Sequence, residues 1–193
     1  MQVKDLRVLL TGSAGFVGSH LGNELTRLGA LVRGYDNMRN ASDQPRIFHT
    51  EYGDTRNVNL LRSFLYDREV IIHLAALISV DESIIVPRLA YDINVTGTLN
   101  ILEEARRLDL PVIFASSSEV YGSAQSVWGI DERHPLDAQS PYAASKAAGD
   151  RACKAWRDTY GLKVNIVRCF NTYGPWQGAN EYGGVIAKFV KQA

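Results

Sequence analysis

Apolar residues come in short, dense runs separated by longer amphipathic stretches along most of the chain. Six runs read as β-strands: Leu6–Thr11, Leu31–Asp36, Ile47–Tyr52, Val70–Ala75, Val112–Ser116 and Val164–Phe170. Most are continuous in Val, Ile and Leu, the mark of strands covered on both faces in a parallel sheet. Between them the apolar spacing changes to a helical one, near 16–28, 55–66, 88–108 and 141–160. The stretch 37–46 is polar and holds Pro45, which predicts a surface loop. Strand–helix alternation implies right-handed βαβ crossovers, hence an α/β fold with a doubly wound parallel sheet of about six strands. After Tyr173-Gly174-Pro175 the chain turns glycine-rich, and an amphipathic segment begins at Val185. Residues 1–175 therefore read as one domain and 176–193 as the start of a further, truncated region.

Composition narrows the function. Of 193 residues, 46% are hydrophobic and 22% charged, ordinary for a globular protein. Lys plus Arg and Asp plus Glu stand at 21 each, so no basic field favours nucleic acid or an anionic membrane. Trp128, Trp156 and Trp176 are scattered and do not form a stacking platform for bases. No apolar run is long enough to span a bilayer and no signal-peptide pattern is seen, which predicts a cytoplasmic protein. Cys153 and Cys169 have no CxxC or metal-ligand spacing and read as reduced thiols, with no metal site expected.

Two constellations carry chemistry. The first is Gly12-x-x-Gly15-x-x-Gly18, which follows the first strand and opens the first helix. Gly12 permits a tight turn, Gly15 lets backbone amides approach a pyrophosphate, and Gly18 lets the helix pack closely on the sheet. Phe16 and Val17 stand in the helix's first turn, where free N–H groups and the positive dipole end favour phosphate. Asp36 ends the second strand, placed to accept hydrogen bonds from the ribose hydroxyls and to repel a 2′-phosphate. Asn37, rather than Arg, follows it. These features predict a Rossmann-type domain with NAD preferred over NADP, although the nearby Arg39 works against that preference. Asp54, ending the third strand, is placed either to meet the adenine or to cap the next helix.

The second constellation is Tyr142-x-x-x-Lys146, one turn apart on a predicted helix. An ammonium beside a phenol lowers its pKa toward that of a usable general base. Upstream, Ser116-Ser117-Ser118-Glu119-Val120-Tyr121-Gly122 follows the fifth strand, at the sheet edge where ligands bind in such folds. A hydroxyl there can bond the substrate oxygen whose proton Tyr142 removes. His20 and His73 read as packing or hydrogen-bonding residues.

Taken together, these motifs resemble the NAD-dependent sugar epimerase/dehydratase family of extended short-chain dehydrogenases/reductases. The matching pieces are TGSAGFVGSHL from Thr11, YDN from Tyr35, Gly53-Asp54, HLAA from His73, NVTGTLNIL from Asn94, SSSEVYG from Ser116, SPYAASK from Ser140 and RCFNTYGP from Arg168. The resemblance implies a nucleotide-diphosphate sugar as substrate, with Leu74, Ala75, Ala76, Tyr142 and Lys146 joining the NAD site. Tyr142, with Ser117 hydrogen-bonded to substrate, would take the proton from the sugar's 4-hydroxyl while carbon 4 passes hydride to NAD. The resulting 4-keto sugar opens the way to dehydration, decarboxylation or epimerisation. Glu119 matches the base of 4,6-dehydratases, whereas Ser118 stands where the dTDP-glucose enzymes carry aspartate. A 4,6-dehydratase is the preferred reading, with a 4-epimerase or a UDP-glucuronate decarboxylase as alternatives. Ser79, Ser117, Ser118 and Asn171 would touch substrate. The resemblance further implies a homodimer packed through segments 88–108 and 141–160, with Leu89, Ile93, Leu99, Ala152 and Trp156 as apolar contacts. It also implies a C-terminal substrate domain that these residues do not include, so NAD binding with little turnover is expected of them alone, and an NAD-binding module is the reading of a different class.

Overall fold

The computed structural model describes residues 3–125, 129–178 and 185–192; Trp128 and the glycine-containing stretch 179–184 fall outside them. Six strands form one sheet: β1 (Arg7–Thr11), β2 (Leu31–Asp36), β3 (His49–Tyr52), β4 (Val70–His73), β5 (Val112–Ser117) and β6 (Val164–Cys169). All neighbours pair in parallel, in the order β3-β2-β1-β4-β5-β6. The direction of winding reverses between β1 and β4, so their carboxyl ends diverge and leave a crevice.

Seven α-helices connect or follow the strands: α1 (Phe16–Arg27), α2 (Val58–Leu65), α3 (Val80–Ile85), α4 (Pro87–Tyr91), α5 (Gly97–Leu108), α6 (Pro141–Tyr160) and α7 (Val185–Gln192). They cover both faces. On one, Leu9, Ile71, Val112 and Phe114 of the strands meet Leu61 of α2, Ile101 and Leu102 of α5 and Cys153 of α6. On the other, Val8, Leu10, Val70 and Ile72 pack with Leu21 and Leu25 of α1. The continuous apolar strands are thus explained by two layers of helix.

Several boundaries depart from the sequence expectations, and those of β4, β3 and the 88–108 helix have a local reason. Strand β4 stops at His73: Leu74 N–H still completes the ladder at Thr11 O (3.1 Å), but Ala75 N–H goes to the Thr11 side chain at Oγ1 (3.3 Å). The helix expected over 88–108 is broken into α4, a π-helical turn at Asp92–Thr96, and α5. Pro87 starts α4, and α3 lies ahead of it, unforeseen from the sequence. In the wide turn, Asn94 aims its side chain backward, accepting from Leu77 N–H (2.7 Å) and donating to Leu77 O (3.0 Å). Strand β3 begins at His49 rather than Ile47, since Phe48 turns aside onto α1; a Cβ on Gly22 would come within 2.3 Å of its ring.

The loop at 37–48 lies over α1 and is held by hydrogen bonds. Ser42 N–H donates to Ala14 O (2.7 Å), Asn23 Nδ2 to Pro45 O (2.8 Å), and Ile47 N–H to Asn23 Oδ1 (2.9 Å). His20 joins this loop through Gln44 Nε2 (3.3 Å) and the later Pro175 through its carbonyl (2.9 Å).

Candidate active site

At the carboxyl edge of the sheet lies a cleft of about 770 Å³. Its floor is the turn after β1. Gly12 has φ +70°, and a Cβ there would stand 2.6 Å from the Ala75 nitrogen. A Cβ on Gly18 would sit 2.0 Å from Gly12 O. Chain and helix therefore approach at distances that exclude any side chain. Gly15 differs: its nearest protein atom would be 3.4 Å away, because its open side faces the cleft. Helix α1 starts there with no side-chain cap, so the N–H groups of its first turn point at the cleft without a protein acceptor. Such a floor fits a diphosphate.

Asp36, 8% exposed, anchors the wall beside this floor. Its carboxylate accepts from Ala14 N–H (2.9 Å) and Met38 N–H (2.7 Å). Asn37 and Asp54 continue the wall. Asp54 is clasped by Arg56 (2.7 and 2.9 Å), which holds its carboxyl below the usual range. It does not cap α2; Asn57 does, accepting from Leu60 N–H (3.1 Å). Phe16, Val17, Leu74, Ala75 and Ala76 complete this half.

The opposite half gathers Ser117, Ser118, Glu119, Tyr142 and Asn171. Ser117 ends β5, Glu119 stands exposed in the turn that follows, and Tyr142 opens α6, whose cap Ser140 accepts from Ala143 N–H (3.0 Å). Burial raises the Tyr142 phenol above its ordinary pKa; hydrogen bonding with Ser117 pulls it down, and the charges of Glu119 and Cys169 add to the rise.

Two expected site residues stand outside the cleft lining. Lys146 is 4% exposed, donates to Ala115 O (2.6 Å), and lies 4.6 Å from the Phe114 ring centre. The sheet thus holds its ammonium, and burial brings its own pKa down to about 8. Ser79 caps α3, accepting from Glu82 N–H (3.1 Å), while its neighbours Ile78 and Val80 line the cleft.

Sequence reasoning missed three supports. His73 is buried, its pKa pushed down to about 3 by burial and by the Lys146 charge. Thr98 donates its hydroxyl proton to Asn94 O (2.6 Å) and so accepts from His73 Nε2 (3.0 Å). Nδ1 then accepts from Thr11 (2.7 Å), which leaves Thr11 Oγ1 to receive the Ala75 amide. The direction of every bond in this chain is fixed. Asn94 also donates to Ser145 Oγ (2.9 Å), and Ser83 Oγ accepts from Tyr142 N–H (3.0 Å), so α3, the wide turn and α6 are tied beside the phenol. Arg168 of β6 forks onto the buried Asp150 of α6 (2.8 and 3.0 Å) and donates to Tyr121 Oη (2.9 Å). His73 in HLAA, Asn94 and Thr98 in NVTGTLNIL and Arg168 in RCFNTYGP all lie in motif runs, so the residues carried a signal and their partners did not.

Among the described residues there is no cluster of three or more metal-ligating side chains, and no helix is long and apolar enough to cross a membrane. The NAD dependent epimerase/dehydratase family matches residues 8–193. A UDP-N-acetyl-alpha-D-glucosaminuronate decarboxylase of Bacillus cytotoxicus is 34% identical, covering 97% of this chain and 61% of its own. A dTDP-glucose 4,6-dehydratase of Streptomyces antibioticus is 35% identical, over 89% of this chain and 55% of its own. The crystal structure of Thermus thermophilus UDP-glucose 4-epimerase in complex with NAD superimposes with a TM-score of 0.84 at 32% identity, over 92% of this chain and 60% of that one. The chain spans 55% and 61% of the lengths of those two curated relatives.

Proposed function

The chain belongs to the NAD-dependent epimerase/dehydratase family, and from that premise we propose that it binds NAD and serves the oxidation of a nucleotide-diphosphate sugar at carbon 4, as a 4,6-dehydratase. The observation that carries this reading is one cleft lined at one end by Gly12, Gly15 and Asp36 and at the other by Ser117, Glu119 and Tyr142. The α1 amides would hold the diphosphate, Asp36 and Asn37 the adenosine ribose, and Leu74, Ala75 and Ala76 the facing wall. Bound NAD supplies the hydride acceptor at carbon 4 and, later in the cycle, the hydride donor.

The residues divide the proton work. Tyr142 accepts the 4-hydroxyl proton at its phenolic oxygen, and Ser117 orients that hydroxyl. Because burial raises the phenol's pKa, the tyrosinate needs positive charge beside it before it can act as a base at neutral pH. Lys146, held by Ala115 O, is the nearest built source of that charge on α6. Once carbon 4 is a ketone, Glu119 removes the proton at carbon 5. That proton is then available to the departing 6-hydroxyl, which leaves as water. Ser118 cannot supply it at neutral pH, so Glu119 serves as both base and acid. Ser118 and Asn171 face the sugar and its diphosphate.

A 4-epimerase is the second reading, favoured by the lack of a second acid at Ser118 and by the exposure of Glu119. Incubation with UDP- and dTDP-sugars, followed by product mass, tests both. Loss of one water supports dehydration, an isomer of unchanged mass supports epimerisation, and loss of carbon dioxide points to decarboxylation. NAD bound without any sugar turnover marks a cofactor-binding module instead.

On the same premise, 1–175 forms the cofactor domain and 176–193 begins a substrate-binding region. A homodimer through α4–α6 also follows. Ile93 is not available for it, being buried with Leu77 and Ala90. Ala152 and Trp156 pack partly against the core, so Tyr91 and Tyr160, both exposed, are the better contacts. Light scattering reads the mass directly.

A further inference from the structure

Among the described residues lining the cleft, Arg39 is the sole basic side chain, against Asp36, Asp43, Asp54 and Glu119. It follows β2 by three positions, on the side where a dinucleotide's adenosine ribose would meet Asp36. Its backbone N–H is fixed on Asn37 Oδ1 (3.1 Å). Its guanidinium is not free: it pairs with the carboxylate of Glu82, which arrives from α3 on the far side of the β1/β4 crevice. Glu82 is not itself part of the lining, and its side chain is 16% exposed against 39% for Arg39. Its neighbour Asp81 is exposed, and among the described residues Arg39 forms its ion pair with Glu82 instead.

A phosphate on the adenosine 2′-oxygen brings about −1.5 to −2 charges. It would face Asp36 and would need a guanidinium to offset that repulsion. The candidate cation lies close by but is engaged by a carboxylate from another element. We infer that Glu82 is a specificity-determining residue: by holding Arg39, it denies the cleft a partner for a 2′-phosphate and keeps NAD preferred over NADP. The inference rests on the proposed NAD site and assigns a new role within it. Asp36 is then half of the discrimination, and removing Glu82 alone uncovers a phosphate-binding arginine.

Calorimetric titration of NAD and NADP into the chain and into Glu82→Gln, Arg39→Gln and the double variant tests this. Gln keeps the length and polarity of Glu82 at the start of α3. Glu82→Gln is expected to tighten NADP about tenfold with NAD changed by less than about twofold. The gain should vanish in the Arg39→Gln background. An unchanged NADP affinity in Glu82→Gln, or a gain that survives loss of Arg39, overturns the inference while leaving the NAD reading intact. A parent chain that binds neither dinucleotide overturns both.

Discussion

At the Gly12–Gly18 end of the cleft, the proposed diphosphate end, the wall is backbone, whereas at the Ser117–Tyr142 end, the proposed sugar end, it is side chain. Gly12, Gly18 and Ala75 meet at distances where an added Cβ would strike main-chain atoms, and Asp36 is held by two amides. Facing them, Glu119, Phe170, Tyr173 and Trp176 are exposed. Main-chain geometry tolerates no substitution, so the cofactor end reads as a fixed spacing of glycines. Exposed side chains can be exchanged without disturbing the sheet, so on the proposed reading the reaction would be chosen where the fold exerts least constraint.

Tyr142 joins the two ends, and its removal should have the largest effect. Tyr142→Phe should lower turnover of the nucleotide sugar by about 10²–10⁴-fold, with NAD affinity within a few-fold of the parent. A comparable loss of NAD binding would mean that the two ends are not separable. Next, Gly18→Ala drives a methyl into Gly12 O at 2.0 Å; about 2–3 kcal/mol of stability should go, seen as a fall of roughly 5–10 °C in melting temperature, together with NAD affinity.

The third test is pH. His73 in the folded chain protonates only near pH 3, against 6.5 when unfolded. Between those values the unfolded state binds the extra proton. Its contribution is therefore full above 6.5 and lost as pH falls toward 3. Urea midpoints should show about 2 kcal/mol of this loss by about pH 5, and His73→Gln should flatten that part of the profile. An equal slope in both proteins would remove His73 from the support of Ala75. The smallest effect belongs to the sugar end: Phe170→Ser should change stability by less than about 0.5 kcal/mol. If it costs as much as Gly18→Ala, the contrast between the two ends fails.

Much of this was legible in the chain. Continuous Val/Ile/Leu runs announced the strands because two helical layers cover them, and the glycine spacing announced the floor because steric exclusion acts locally. What stayed hidden depends on partners distant in sequence. Asn94 breaks the helix of 88–108 through Leu77, seventeen positions earlier, and nothing in a helical pattern reveals that bond. Lys146 sits correctly on the face of Tyr142, yet the sheet captures its ammonium at Ala115 O. Ser79 lies at the right edge but spends its hydroxyl on a helix cap that was not foreseen.

The π-helical turn at Asp92–Thr96 has a genetic consequence. Such a turn accommodates one residue more than an ordinary helix over the same rise, so shortening the chain by a single codon there would heal the helix. The flanking helices would keep their present faces, but the wide turn from which the amide of Asn94 reaches Leu77 and Ser145 would be gone. A one-residue deletion within these five therefore acts on the bonds of Asn94 and leaves the placement of α4 and α5 on the sheet as it is.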